Sequence, residues 1–153
     1  GGDMADTMQF DLVAPERNLM SVPVREVRLP GEDGDLSAMP GHAPTIVNLR
    51  PGLVTVVDAQ GAESQFAISG GFAEISNDSV SLLAEIGRKR EDMTQAIFDD
   101  MMRAAHRKAK TAEAKKASTG AEGVVAAAAK LLADMEALGT HIGLDPNSSN
   151  FPD

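Results

Sequence analysis

The chain of 153 residues carries 23 acidic and 14 basic residues, for a net charge of −9, with 3% aromatic residues and no cysteine. The negative charge argues against general nucleic-acid binding. The lack of cysteine excludes disulfides, thiolate metal ligands and a thiol nucleophile. No apolar run approaches the ~20 residues that a membrane-spanning helix needs.

The first half of the chain shows the short alternating patterns that are typical of half-buried strands. Residues 8–14 alternate apolar and polar side chains, and residues 21–29 do so with a shift of phase after Val24, which a β-bulge would accommodate. The other strand-like segments are 36–39, 45–49, 53–57, 66–68, 72–75 and 80–86. Because turn signals separate these segments and no helical pattern interrupts them, they predict an antiparallel sandwich or barrel.

A helical period replaces this alternation after Gly87. One helix is predicted over residues 92–116, with acidic residues in its first turn, and a second over residues 121–138, with Gly139 as its C-terminal cap. The apolar stripe predicted for the first helix comprises Met93, Ala96, Ile97, Met101, Ala104, Ala105 and Ala112. Two helices with a short connection predict an antiparallel hairpin.

Together these segments predict an α+β protein in three parts. They are an N-terminal antiparallel β-sandwich or barrel over residues 7–86, a C-terminal antiparallel two-helix hairpin over 91–139, and a flexible tail over 143–153. Residues 88–116 carry nine bases and five acids, although the whole chain is acidic. Such asymmetry indicates a segment that faces an acidic partner or an acidic part of its own chain, and a solvated helix face is the alternative.

Motifs for catalysis or ligand binding are absent from the sequence. The three histidines, His42, His106 and His141, do not have the spacing of a metal-binding pair. The chain has neither a GxxxxGK[ST] phosphate loop nor a GxGxxG motif, and Gly70-Gly71 indicates a bulge or a sheet corner. We therefore predict no catalytic residue, no bound cofactor and no metal site.

Two ordered sets of motifs lie within the predicted strands. In the first, Pro-Gly-His-Ala-Pro at residues 40–44 is preceded by Leu36 and followed by Leu-Arg-Pro-Gly at 49–52. The second consists of Ile-Ser-Gly-Gly-Phe at residues 68–72 and Val-Ser-Leu-Leu-Ala-Glu at 80–85. These motifs, in this order, resemble those of the epsilon subunit of F-type ATP synthases, and the resemblance is loose beyond residue 85.

The resemblance implies a non-catalytic rotor subunit of the central stalk, which couples rotation of the c-ring through the gamma subunit to ATP synthesis. It implies a sandwich that docks on the gamma subunit and the c-ring, and a hairpin that inhibits ATP hydrolysis when it extends toward the alpha and beta subunits. The implied location is peripheral, on the cytoplasmic side of the inner membrane. The implied partner contacts are Glu32, Asp35 and His42 toward the c-ring, and Arg103, Arg107 and Lys108 toward acidic loops of the beta subunits.

Some members of that family bind ATP at the start of the first C-terminal helix, through a motif of the form [IL]-D-x-x-R-A. In this chain Thr94 stands where the Asp should be and Ile97 where the Arg should be. A look-alike at residues 100–104 is displaced by six residues, which rotates it about 120° around the helix. Because isoleucine offers no donor to a phosphate, we predict that the chain does not bind ATP.

Other interpretations of the same residues stay open. The sandwich could be a free-standing scaffold for a ligand or peptide, with the hairpin as a lid, and an enzyme would require an unfamiliar site. His42 is either a turn histidine bonded to nearby backbone or a rigid contact residue at a protein interface. Co-purification with membranes and large ATPase subunits distinguishes the rotor subunit from the free-standing module, because only the rotor subunit requires it.

Overall fold

The computed structural model describes residues 7–119 and 122–148, and these residues form nine strands followed by two helices. The strands are β1 (Met8–Ala14), β2 (Arg17–Gly31), β3 (Gly34–Ala38), β4 (Thr45–Leu49), β5 (Gly52–Asp58), β6 (Glu63–Ile68), β7 (Gly71–Ile75), β8 (Ser79–Ala84) and β9 (Gly87–Lys89), and the helices are α1 (Gln95–Thr119) and α2 (Glu122–His141). The order of elements confirms the predicted α+β class. The chain separates into two compact units, with the division between Asp92 and Met93. Neither helix, over its described residues, is long and apolar enough to cross a membrane.

The sandwich is organised around β2, a strand of 15 residues. Its first half pairs antiparallel with β1, and its second half pairs with β5 and β3. From β1 the sheet continues through β8 and β7 to β4, and from β5 it continues through β6 to β9. Because β2 belongs to both layers, it brings their apolar faces together around one core.

The predicted change of phase after Val24 corresponds to a bulge in the ladder between β2 and β5. Val24 pairs with Asp58 of β5, and Glu26, two positions later in β2, pairs with the adjacent residue of β5, Val57. The extra residue in β2 allows both Val24 and Val27 to be fully buried although they are three positions apart. One pairing departs from the predicted antiparallel pattern, because β1 and β8 run parallel. These two strands are distant in sequence, so no tight turn forces them to be antiparallel.

Alternating side chains of the strands form the core of the sandwich. On the parallel pair of strands, Phe10 lies beside Val80 and Leu12 beside Leu82, and all four are at most 1% exposed. Phe66 and Ile68 contribute from β6. Because each such side chain contributes about 1.5–3 kcal/mol when fully buried, the first unit has a core of its own.

Helix α1 begins three residues later than predicted. Residues Arg90–Asp92 form a 3-10 turn instead, and Thr94 caps α1. Its hydroxyl accepts a hydrogen bond from the Ile97 N–H at 3.2 Å and its carbonyl accepts one from the Phe98 N–H at 3.0 Å. The first turn of α1 contains no acidic residue, so the prediction that acidic side chains there complement the helix dipole was wrong.

The buried stripe of α1 shares Met101, Ala105 and Ala112 with the predicted one and differs from it mainly in the first turns. Ala96 is exposed and Phe98 is fully buried. The buried residues of α1 are Phe98, Met101, Met102, Ala105 and Ala112. A Cβ built on Gly139 of α2 would lie within 3.0 Å of three ring atoms of Phe98. Because only a glycine leaves room for the ring at this position, the contact between Phe98 and Gly139 sets the rotation of the helix.

Helix α2 ends beyond Gly139, so the prediction of a cap at that residue was wrong. The cap is Gly143, which has a φ of 81°. Its N–H donates to the Thr140 carbonyl at 3.2 Å, and the Leu144 N–H donates to the Gly139 carbonyl at 2.8 Å, which is the Schellman arrangement. The first helix was predicted to end at residue 116, with a break over residues 118–120, and this was wrong because α1 continues to Thr119. Gly120 and the last five residues of the predicted tail lie outside the described residues.

Candidate interaction surfaces

The turn between β2 and β3 presents exposed carboxylates at one end of the sandwich. Glu32 and Asp33 form its tip and are both exposed. Gly34, with a φ of 138°, allows the chain to reverse there, and the Glu32 N–H donates to the Asn48 carbonyl at 2.8 Å. The backbone bond holds this turn against β4, so its carboxylates are presented on a fixed frame.

Asp35, beside this turn, is paired with a residue of its own chain. An oxygen of its carboxylate lies 2.5 Å from Nη2 of Arg50, whose Nη1 donates to the Gly31 carbonyl at 2.5 Å. The Asp35 side chain is nevertheless 79% exposed, and such pairs usually contribute at most ~1 kcal/mol. The pairing gives Asp35 a role in holding the turn, which sequence reasoning missed because the two residues are 15 positions apart.

His42 lies in the loop between β3 and β4, and hydrogen bonds order this loop. The Gly41 N–H donates to the Asn77 carbonyl at 2.7 Å, and the His42 N–H donates to the Met39 carbonyl at 3.1 Å. Nδ1 of His42 is 2.7 Å from the carbonyl oxygen of Ala43. His42 therefore has the local backbone bonding that is expected of a turn histidine.

The structure does not bring the three candidate c-ring contacts together. Glu32 and Asp35 lie where β3 begins, whereas the loop that carries His42 follows the end of β3. At about 3.4 Å per residue, the five residues of β3 put about 14 Å between these two ends. The acidic turn and the His42 loop are therefore separate surfaces of the sandwich.

An apolar face lies on the outer side of β4, β7 and β8, where alternation predicts polar residues. Ile46, Phe72 and Leu83 are 70%, 37% and 46% exposed. Phe72 pairs directly with Leu83 and lies diagonally to Ile46 across the ladder. Sequence reasoning missed this apolar face, although the adjacent apolar pairs Ile46-Val47 and Leu82-Leu83 signal strands with apolar side chains on both sides.

The basic residues of α1 surround a shallow groove with an alanine floor. Arg107 and Lys108 are exposed, as is Lys115, one helical repeat of seven residues beyond Lys108. The groove has a volume of about 480 Å³ and is lined by Ala104, Arg107, Lys108, Thr111, Ala112 and Lys115. Two of the three basic candidates thus lie on one surface, which is suited to an acidic partner rather than to a small ligand.

The third basic candidate, Arg103, is paired within the helix. Its Nη1 lies 2.5 Å from a carboxylate oxygen of Asp100, one turn earlier. These two residues are the acidic and basic members of the displaced look-alike at 100–104. In the displaced look-alike at 100–104, the acidic and the basic side chain are therefore paired with each other.

Within the described residues, the side chains that could bind a metal ion do not cluster, and a neighbouring arginine lowers the pKa of one carboxylate. No group of three or more His, Asp or Glu side chains within the described ranges could hold a metal ion. A hydrogen bond from Arg28 holds the pKa of Glu26 below its ordinary value, and the two side chains form a pair at 3.2 Å on the surface of β2. This lowered pKa is the effect that an ion pair has on a carboxylate, and it is opposite to the raised pKa of a carboxylate that acts as a general acid at neutral pH.

Comparison with known proteins finds a family model that matches more than half of the chain. Residues 7–88 match the β-sandwich domain of the ATP synthase delta/epsilon chain. Three bacterial relatives are ATP synthase epsilon chains. The one from Paracoccus denitrificans is 70% identical, over 97% of this chain and 99% of the relative, and the one from Rhodobacter capsulatus is 57% identical, over 92% and 100%. The one from Rhodospirillum rubrum is 38% identical, over 81% and 98%.

A solved structure shares the fold at low sequence identity. The match is to a chain in the mitochondrial ATP synthase of Euglena gracilis, with a TM-score of 0.62 and 21% identity. It covers 90% of this chain and 82% of the other. The order of sandwich and helices is therefore retained where most residues differ.

Proposed function

This chain belongs to the ATP synthase epsilon chain family, and from that membership we propose that it is a non-catalytic rotor subunit of an F-type ATP synthase. In this role it sits in the central stalk and couples rotation of the c-ring through the gamma subunit to ATP synthesis. Its location is peripheral, on the cytoplasmic side of the inner membrane, through the complex alone. The absence of catalytic motifs from the sequence supports a part in transmission rather than in chemistry.

The observation that carries this proposal is the exposed apolar face of β4, β7 and β8. Ile46, Phe72 and Leu83 present contiguous apolar surface on a rigid sheet, and such patches mark interaction sites. We assign this face to the gamma subunit, because a stable docking surface needs apolar burial that polar turns cannot supply. A rotor subunit must resist torque, which a rigid sheet transmits better than a mobile loop does.

We assign the acidic turn with Glu32 and Asp35 to polar loops of the c-ring. Exposed charges at the rim of an interface steer association and contribute little affinity each. His42, on the separate loop, then contacts a different part of the complex from the one that Glu32 contacts. Since Asp35 is already paired with Arg50, Glu32 is the better residue with which to probe the c-ring contact.

The helical hairpin is assigned a regulatory role, the inhibition of ATP hydrolysis when it extends toward the alpha and beta subunits. The groove with Arg107 and Lys108 supports this, because its positive charge complements the acidic loops that the resemblance assigns to the beta subunits. Arg103, which is paired with Asp100, is assigned to the same contact.

The test replaces an apolar side chain of the face by a charge. We expect Ile46→Asp, at the most exposed position, to reduce co-purification of the chain with the gamma subunit and the c-ring by tenfold or more, since an unpaired charge would be buried at the interface. Gln60→Asp, in the exposed turn between β5 and β6, adds the same charge elsewhere and should change nothing. Equal recovery of both variants and the unmodified chain would contradict the assignment of the face, and absence of the ATPase subunits from every pull-down would favour the free-standing module.

A further inference from the structure

The chain does not leave the hairpin at the end of α2 but turns back toward the start of α1. The Schellman cap at Gly143 reverses its direction, and a second turn follows at once. In that turn the Ser148 N–H lies 3.4 Å from the Asp145 carbonyl, and the Asn147 N–H donates to a carboxylate oxygen of Asp145 at 2.8 Å. Pro146 in the second position pre-sets the backbone for this turn, so the segment is organised before it makes any contact.

The side-chain amide of Gln95, in the first turn of α1, receives this segment. Its Nε2 donates to the Asp145 carbonyl at 2.7 Å, and its Oε1 accepts from the Asp145 N–H at 2.9 Å. The glutamine thus pairs with the Asp145 backbone as a neighbouring strand would, through one donor and one acceptor. This reciprocal pairing requires a carboxamide, since neither a carboxylate nor an amine offers both functions.

A hydroxyl extends the contact along the same helix. Oγ of Ser148 lies 2.8 Å from Nε2 of Gln95 and donates to a carboxylate oxygen of Asp99 at 2.7 Å. Nε2 of Gln95 also lies 3.0 Å from a carboxylate oxygen of Asp99, one helical turn away, so its two hydrogens are shared among three acceptors. Four polar groups from the two ends of the second unit therefore form one network, although they lie about 50 residues apart in the sequence.

We propose that residues 144–148 form a clasp that closes the open end of the helical hairpin. One end of an antiparallel hairpin is closed by the chain between α1 and α2, and the other has no covalent link. The clasp joins the two helices at this open end by hydrogen bonds to Gln95 and Asp99. The helices α1 and α2 therefore separate only after these bonds break. The hydrogen bonds of the clasp lie at the surface, and the loss of one raises the equilibrium constant for opening a few-fold. Bonds of this strength suit a contact that must be reversible.

The clasp acquires a regulatory meaning from the proposed function, on which this part of the inference rests. A hairpin that must extend in order to inhibit ATP hydrolysis is held in its folded form by a contact between its ends. A change that opens the clasp shifts the population toward the extended form. The shift in free energy equals the amount by which the clasp stabilises the folded form relative to the extended one.

Hydrogen exchange on the full chain tests the clasp directly. We expect Ser148→Ala to speed exchange of the Ile142 and Leu144 amides about fivefold, the value of one net hydrogen bond. Gln95→Ala should speed it more, because it removes the reciprocal pair and the bond to Ser148 together. Alanine is the strongest helix former, so an effect of Gln95→Ala cannot come from a weakened α1.

Gln60→Ala makes the same substitution in the first unit and should leave these amides unchanged. Circular dichroism confirms that each variant is folded, and the amides of β1 and β8 report on the sandwich. Unchanged exchange at Ile142 and Leu144 in folded Gln95→Ala and Ser148→Ala would overturn the clasp.

ATP hydrolysis by the reconstituted complex separates the clasp from the proposed function. If both are correct, Gln95→Ala exchanges faster and also inhibits hydrolysis more strongly than the unmodified chain. Faster exchange with unchanged hydrolysis supports the clasp and counts against the inhibitory role of the hairpin. Unchanged exchange with altered hydrolysis overturns the clasp and leaves the regulatory role to another contact.

Discussion

At the scale of single residues, two glycines of α2 differ in whether the structure requires a glycine. Gly139 is buried against the ring of Phe98, so that a Cβ there would collide with it, whereas a Cβ on Gly123 would meet nothing within 4 Å. A helical glycine costs about 0.5–1 kcal/mol relative to alanine. That cost is avoidable at Gly123 and is offset at Gly139 by the packing of the ring.

We therefore predict that the same substitution has opposite effects at the two positions. Gly139→Ala should lower the free energy of unfolding of the hairpin by about 1–3 kcal/mol, because the Phe98 ring must move in a packed site. Gly123→Ala should raise it, by less than the ~1 kcal/mol of a helix interior, because Gly123 is the second residue of α2. Thermal denaturation followed by circular dichroism at 222 nm, where helices dominate the signal, measures both. A stabilising Gly139→Ala would show that the ring has room to move.

The candidate contact residues show what sequence patterns reveal at this scale and what they do not. Turn chemistry predicts that Glu32 and His42 are accessible, because Gly and Pro surround them and turns lie at the surface. The pairing of Asp35 with Arg50 is not predictable, since no local rule brings together residues 15 positions apart. The same limit hides the network of Gln95 with Asp145 and Ser148.

At the scale of elements, the strands were predicted more accurately than the helix ends. Strand alternation is a local property that the sheet preserves, and even the bulge after Val24 is visible as a change of phase. The start of α1 depends on which of several polar residues provides the cap, and Thr94 does so in place of the acidic residues before it. A helix end is decided by a few hydrogen bonds worth about 1 kcal/mol each, which side-chain periodicity does not report.

The first turns of α1 lead us to predict that the chain does not bind ATP. Thr94 uses its hydroxyl to cap the helix, Ile97 has no donor, and Arg103 is already paired with Asp100. Titration calorimetry with Mg-ATP on the full chain should therefore show no saturable heat at physiological nucleotide concentrations. Saturable binding would refute the prediction, and its loss in Arg103→Ala would assign the site to the look-alike at 100–104.

At the scale of the whole molecule, the division into two units predicts where a protease cuts first. Met93 and Thr94 belong to neither a strand nor a helix, whereas β9 before them is paired with β6. Thermolysin, which cleaves before apolar residues, should therefore cut at Met93 and leave a resistant sandwich that ends at Asp92. Mass spectrometry of the fragments measures this boundary. First cleavage within β5, β6 or β7 would contradict an independently stable sandwich.

The sequence by itself determined the class of this protein, the order of its strands and helices, and its family, because these depend on local periodicity, turn chemistry and short ordered motifs. Only the tertiary structure decided the parallel pairing of β1 with β8, the assembly of Ile46, Phe72 and Leu83 into one outer face, the packing of α1 against Gly139 and the clasp on Gln95. Each of these joins residues that are distant along the chain. Their energies depend on which surfaces meet, and a pattern within one segment carries no information about the segment that it will meet.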